Sequence, residues 1–197
     1  DVLAEVVGEQ LARGVEGFYC CGSSGEALLL SLDERKAVVE TVTAVVAGRV
    51  PVIVHVGTVS TTQTIELALH AQGNGVSAVS MIPPYYYAFT FEEIEAYYRE
   101  IIHAVDVPVL LYNIPQFTGV AFTKDNSSGL LADPKVIGMK HTDHNLYALE
   151  RLTQAFPEKI FFNGFDEQYL SALVAGATGA VGTTVNIQPE LFLRLRR

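Results

Sequence analysis

The sequence has no surplus of basic charge, only two cysteines and no long apolar run, and each shortage removes a class of function. Lys and Arg number 13 against 22 Asp and Glu, for a net charge of −9. A nucleic-acid or anionic-membrane partner needs a basic face, so neither is expected. An anionic substrate would have to be held by local donors against the field of the whole chain. Cys20 and Cys21 are adjacent. Neighbours on a strand point to opposite faces, which suits two small core residues of a reducing compartment rather than a disulfide framework. No stretch approaches the ~18 apolar residues of a membrane span, and no signal peptide is visible. A soluble, cytoplasmic protein is the expectation. No linker or low-complexity segment interrupts the chain, so residues 1–197 are expected to form a single domain. It opens on Asp1 and ends within an apparent helix at LFLRLRR, which suggests a fragment of a longer chain.

What is present is 49% hydrophobic and 18% charged, a globular balance, and its apolar residues recur in two rhythms. Val2, Val6 and Leu11 have helical spacing, closed by Gly14. VEGFYCCG reads as a strand, followed by the polar turn SSGEA. Asp33 to Ala47 predicts a helix, PVIVHVG a strand, and Ser60 to Gln72 a helix opened by a Ser/Thr cap. The alternation runs on through strand SAVSMIP, helix FEEIEAYYREIIHAV, strand VPVLLYN, a weak helix near Lys124–Leu131 and strand VIGMK. Helix LYALERLTQAF, strand KIFFNG, helix EQYLSALVAG, strand GAVGTT and a helix beginning near Pro189 complete it. Strict alternation at spacings of about 25–30 residues predicts a parallel sheet covered by helices.

Polar residues fall at or just after the strand ends: Ser23 and Ser24, His55, Tyr85 and Tyr86, Tyr112, Lys140, Asp166, Thr183. An open doubly wound sheet needs such residues only beside its switch point, whereas a barrel gathers them from all its strands. The expected fold is therefore α/β, a (β/α)8 TIM barrel. Seven strands follow an opening helix, so the missing first strand is expected to precede residue 1.

Two apolar strands end on reactive residues, Tyr112 and Lys140. A lysine there either reaches water, pairs with a carboxylate such as Asp143 or Asp166, or sits in a pocket that lowers its pKa. The last makes it a nucleophile at neutral pH, and the residues read best as a Schiff-base lysine with Tyr112 handling protons. Gly22-Ser23-Ser24-Gly25-Glu26 offers N–H groups and two hydroxyls to a small anion, or is an ordinary capped turn. It lacks the lysine of a P-loop. His55 reads as a hydrogen-bonded barrel residue. His141, Asp143 and His144 do not match a helical metal motif, and no metal or organic cofactor is expected. Tyr85-Tyr86-Tyr87 reads as a packing or subunit-contact cluster with a catalytic alternative. Asn163-Gly164-Phe165-Asp166-Glu167 reads as a turn with acids at a helix start.

GSSGE, YNIPQFTG, GMKHT, NGFDE and GATGAVGTT occur in the order and spacing of one family across essentially the whole chain. On these motifs the sequence resembles the dihydrodipicolinate synthase/N-acetylneuraminate lyase family of pyruvate aldolases. The resemblance implies a homotetrameric barrel with a C-terminal helical region that is absent here. It implies catalysis by Lys140 as Schiff base and Tyr112 in proton transfer, with Tyr86 near a subunit interface. Ser23 and Ser24 would bind a carboxylate, and Thr142, Gly164, Asp166, Glu167 and Thr183 a polyhydroxylated chain. The synthases of the family carry an arginine shortly after YN[IV]P, where this chain has Gln116-Phe117-Thr118. NGFDE instead matches the lyases, which implies cleavage of sialic acid (N-acetylneuraminate) to N-acetylmannosamine and pyruvate. Ser24 replaces the family's usual threonine and Thr183 the lyases' usual serine, each keeping the hydroxyl. Another pyruvate-dependent aldolase, or a non-catalytic barrel that binds a carboxylate or sugar, is the alternative.

Overall fold

The computed structural model describes residues 2–197, so the first expected helix is seen from Val2 and Asp1 lies outside the described residues. The strands are β1 (Phe18–Cys20), β2 (Val52–His55), β3 (Ala78–Met81), β4 (Val109–Asn113), β5 (Val136–His141), β6 (Ile160–Asn163) and β7 (Gly179–Ala180). They form one sheet in chain order, every neighbouring pair parallel. The helices are α1 (Val2–Ala12), α2 (Leu32–Val46), α3 (Thr61–Gly73), α4 (Phe91–Ala104), α5 (Pro115–Thr118), α6 (Lys124–Leu131), α7 (Leu146–Ala155), α8 (Tyr169–Val174) and α9 (Pro189–Arg196). The expected elements are all present, and the short α5, opened by a proline, adds one helical turn between β4 and α6.

Local chemistry explains why the helices start where they do. Ser31 and Glu34 form a capping box before α2, and Thr90 and Glu93 form another before α4. Each satisfies backbone N–H groups that a helix start leaves open. Along α4 the buried residues are Ile94, Tyr97, Tyr98, Ile101 and Ile102, the i, i+3, i+4, i+7, i+8 stripe of a helix lying on a sheet. Burying that stripe contributes roughly 10 kcal/mol of gross apolar transfer, most of it offset by chain ordering.

Strand residues such as Val54, Val79, Leu111, Met139 and Phe161 join the helices in one large core. Because side chains alternate along a strand, Tyr112 and its neighbours face the other way. There Ile82, Tyr112 and Ile114 make a separate small cluster, with Tyr19 and Tyr85 packed on it. The sheet is curled enough for its ends to approach. Gln10 of α1 donates to the Asn186 carbonyl at 2.8 Å, and Arg13 binds Glu190 of α9 at 2.8 Å. Among the described residues β1 and β7 do not pair with each other. Between them lies a cavity of about 450 Å³ lined by Phe18, Tyr19, Ile53, Phe162, Gly179 and Ala180, among others.

Cys20 and Cys21 are both buried and free. Burial pushes the Cys20 thiol up to about 12 and raises Cys21 as well. Only Cys20 belongs to the strand. Cys21 lies past its end at φ 56, so the expected alternation across a strand gives way to the start of the turn. Among the described residues, no helix is long and apolar enough to cross a membrane.

Candidate active site

One bulge decides what faces the interior at the centre of the sheet. Val109 of β4 pairs with Val136 of β5, but the next residue, Leu110, pairs with Gly138, leaving Ile137 as the extra residue. Had the first register continued, Tyr112 would lie opposite Met139. The bulge sets it opposite Lys140 instead; a one-residue slip exchanges the faces of a strand. Gly138 makes this possible. Its φ is +151°, and a Cβ there would stand 1.8 Å from the Ile160 carbonyl oxygen.

Lys140 is 6% exposed and makes no ion pair among the described residues, so neither route to water nor a carboxylate satisfies it. Its Nζ lies 3.8 Å from the Tyr112 ring centroid and 4.8 Å from that of Tyr19. Burial lowers its pKa below the ordinary lysine value, with Tyr112 and Asp166 pulling the other way. A buried amine of lowered pKa is a nucleophile toward a carbonyl carbon.

The frame around this amine is made of buried polar links between strand ends. The Asn113 side chain donates to His141 Nδ1 at 3.1 Å and accepts the Phe122 N–H at 2.9 Å. The other ring nitrogen of His141 faces the Asn145 carbonyl at 3.3 Å. Since Asn113 and His141 directly follow Tyr112 and Lys140, this link locks the two strands one residue beyond the pair. Burial lowers the His141 pKa, so the neutral ring this arrangement needs is the favoured form. His55 accepts the Ile82 N–H and meets the Tyr112 ring edge-on, 5.8 Å between centroids.

The turn after β1 closes on itself, Gly25 and Glu26 donating to the Gly22 and Ser23 carbonyls. Ser23 Oγ lies 3.4 Å from the Tyr112 hydroxyl. Ser24 Oγ lies 2.5 Å from Thr183 Oγ1, joining the first and last strand ends. Asp166 Oδ2 accepts from the Thr184 N–H and hydroxyl at 2.7 and 2.8 Å, while its Oδ1 is buried without a hydrogen-bond partner among the described residues. Thr142 Oγ1 is likewise buried and unpaired. A Cβ on Gly164 would stand 1.8 Å from Thr142 Oγ1, and one on Gly182 1.5 Å from Asp166 Oδ1. Small residues therefore leave room for these two oxygens. Glu167 is exposed nearby.

The fold thus gathers Lys140, Tyr112, Ser23, Ser24, Thr183, Thr142, Gly164 and Asp166 at one end of the sheet. It does not bring Tyr86 to the amine. Tyr86 is 87% exposed at φ 79 and packs on Tyr87, while Tyr85 is the member of that run that reaches the Tyr112 cluster. Sequence reasoning missed Tyr19, Ser80 and Arg35. Tyr19 donates to Ser80 Oγ at 2.9 Å, and buried Arg35 donates to the His55 and Gly57 carbonyls at 2.7 and 3.2 Å. A tyrosine inside the apolar run ahead of a glycine turn was the available signal for the first. Among the described residues, no group of His, Cys, Asp and Glu is placed to hold a metal. The His144 ring stacks on Phe165 at 4.2 Å and meets Gln168 at 3.0 Å.

A parallel sheet curled in chain order, with its polar groups converging at the strands' C-terminal ends, defines a TIM-barrel-like α/β protein. A family model described as the dihydrodipicolinate synthetase family matches residues 1–196, and the chain belongs to that family. It is 42% identical over 194 residues to an N-acetylneuraminate lyase of Rhizobium meliloti, covering 98% of this chain and 64% of the relative. Its fold matches a catalytic-lysine mutant of a Ruminococcus gnavus sialic acid aldolase with a TM-score of 0.94 at 38% identity, over 98% of this chain and 64% of that one. It also matches a dihydrodipicolinate synthase of Acinetobacter baumannii complexed with pyruvate, with a TM-score of 0.93 at 30% identity, over 98% and 66%. The chain thus spans a little under two thirds of the curated relative's length.

Proposed function

We propose that the chain is the core of a carbon–carbon lyase that cleaves N-acetylneuraminate to N-acetylmannosamine and pyruvate through a Schiff base on Lys140. The observation that carries this is the Lys140 amine: buried, without an ion pair among the described residues, lowered in pKa and held 3.8 Å from the Tyr112 ring. The likeness to N-acetylneuraminate lyases, closer in identity than that to the synthase, supports this substrate. So does the segment Gln116-Phe117-Thr118, which offers no cation for a second carboxylate.

In this reading the turn at Ser23 and Ser24 takes the substrate carboxylate and aims its ketone at the lysine. The amine adds to C2 and water leaves, so C2 becomes an iminium carbon. The iminium draws electrons from the C3–C4 bond while the C4 hydroxyl loses its proton by way of Tyr112. N-acetylmannosamine departs, the enamine takes a proton at C3, and hydrolysis frees pyruvate. The unpaired Thr142 and Asp166 oxygens, with Gly164, Glu167 and Thr183, face the sugar chain. Tyr86, exposed on its own chain, would act on the site of an assembled neighbour.

The same reading takes residues 1–197 as one domain and the sheet as seven eighths of a (β/α)8 barrel. An eighth strand in the cavity between β1 and β7 would close it, and a C-terminal helical region, as the family resemblance implies, would follow. A cytoplasmic homotetramer fits two buried reduced thiols and the exposed Leu29, Tyr86, Tyr87 and Phe117 at one end of the sheet.

The test is mass spectrometry with peptide mapping after incubation with pyruvate and borohydride. A reduced pyruvyl adduct on Lys140, lost in Lys140→Ala, is the expected result. No adduct on the folded parent would overturn the proposal in favour of a carboxylate-binding module. Turnover with N-acetylmannosamine, aspartate semialdehyde and simple aldehydes then fixes the second product.

A further inference from the structure

The nitrogen of Lys140 has two aromatic neighbours, and the reaction just proposed needs only one of them for proton transfer. The second, Tyr19, comes from β1, on the far side of the interior from β5. Its ring centroid lies 4.8 Å from Lys140 Nζ and stands edge-to-face with Tyr112 at 6.0 Å. The ring is fixed from both ends. Its hydroxyl donates to Ser80 Oγ at 2.9 Å, and Gly22 packs so closely that an added Cβ would meet Tyr19 Cε1 at 3.0 Å.

Schiff-base chemistry changes the charge at the nitrogen. The amine forms a bond to the carbonyl carbon and passes one proton to its oxygen. The C–O bond then breaks as that oxygen accepts a second proton from the medium and leaves as water. What remains is a C=N⁺ cation in a buried site where no carboxylate pairs with Lys140 among the described residues. A cation within about 6 Å of an aromatic ring is attracted by the ring's quadrupole, most strongly where water is excluded.

We propose that Tyr19 acts through its ring face, forming with Tyr112 an aromatic cradle that stabilises the Lys140 iminium over the free amine. Its hydroxyl is not the acting group. It is committed to Ser80, and burial pushes its pKa well above the ordinary tyrosine value. The ring also favours the ammonium form, so its effect on adduct formation is fullest at pH values where the amine is already neutral.

The inference rests on the lysine Schiff base, and the test separates the two. In the whole protein, the pyruvate concentration giving half-maximal borohydride-trapped adduct is measured against pH for the parent, Tyr19→Phe and Tyr19→Leu. Absence of adduct in the parent overturns the Schiff-base reading and the cradle with it. Given a parent adduct, Tyr19→Leu should raise the half-saturating concentration about tenfold at pH values where the free amine is neutral, and far less at pH values where it is already an ammonium. Tyr19→Phe, which keeps the face and loses only the Ser80 bond, should cost about two- to threefold. Equal behaviour of the Leu variant and the parent, or of the Phe and Leu variants, would overturn the cradle. Fluorinated phenylalanines at position 19 decide the matter if the Leu variant does not fold. Adduct affinity should then fall stepwise with each fluorine, and a flat series overturns the proposal.

Discussion

His55 should make the folded chain lose stability in mild acid, by an amount the structure fixes. The ring is buried at the end of β2, its Nε2 accepts the Ile82 N–H at 3.3 Å, and Nδ1 has no hydrogen bond of good geometry among the described residues. Burial lowers its pKa from 6.5 to about 3, with the Arg35 and Lys140 cations adding to the effect and the Cys21 backbone pulling weakly the other way. The unfolded chain therefore takes up a proton below pH 6.5 that the folded chain refuses until about pH 3. Stability contributed by the neutral ring is complete above 6.5 and declines as pH falls through that window, by about 1.4 kcal/mol per unit. Between pH 7 and pH 5 the loss is about 2 kcal/mol, and it hardly depends on where below pH 4 the folded ring titrates. His141 is lowered in the same direction, so the parent's total decline is larger than His55 alone supplies. His55→Gln isolates the part due to this ring, since its amide oxygen can still accept from Ile82. Urea unfolding of parent and variant at pH 7 and pH 5, at equal m-value, measures it. The variant, whatever its stability at pH 7, should lose about 2 kcal/mol less on going to pH 5. Equal losses within about 0.5 kcal/mol, the level at which distant effects add, would refute the account of His55 as a neutral buried base.

Tyr112→Phe should reduce turnover by ~10²–10⁴, the usual worth of a positioned acid–base group, while the pyruvate adduct on Lys140 still forms. Unchanged steady-state kinetics would reduce Tyr112 to packing. Gly138→Ala should destabilise the chain by about 3 kcal/mol or more, from backbone strain and the forced parting of β5 from β6. A urea midpoint near the parent's would show that the bulge has another way to form.

The alternation of strands and helices was legible because each buried strand is a short apolar run with turn residues at both ends, VPVLLYN being the clearest. Lys140 and Tyr112 stood out for the same reason, as polar groups closing apolar runs. What could not be read is which of several neighbours turns inward. In Tyr85-Tyr86-Tyr87 no period applies, since the chain has left β3 and Tyr86 adopts a left-handed backbone. Only the folded path shows that Tyr85 meets the interior. The register of β4 on β5 is equally hidden, for it depends on a bulge whose one sequence trace is a glycine inside VIGMK. Tyr19 and Ser80 are 61 residues apart and meet only because β1, β2 and β3 pair in order.

Arg35 answers the question that the net charge of −9 raised about anionic substrates. It is 3% exposed, and its guanidinium is spent on the carbonyls of His55 and Gly57, with no carboxylate partner among the described residues. A buried cation is costly unless its hydrogen bonds are met, and Nε is left unmet. That cost has a visible electrostatic return. The same charge helps lower the pKa of His55 and opposes the rise at Cys21, so its field is felt at the ends of both β1 and β2. Cys21 directly precedes the turn that holds Ser23 and Ser24. In the proposed reading, a carboxylate reaching that turn meets two hydroxyls beside the reach of this buried charge, although the chain as a whole is acidic. Carboxylate charges at the surface are screened beyond about 10 Å in ordinary salt, whereas a buried charge is screened far less.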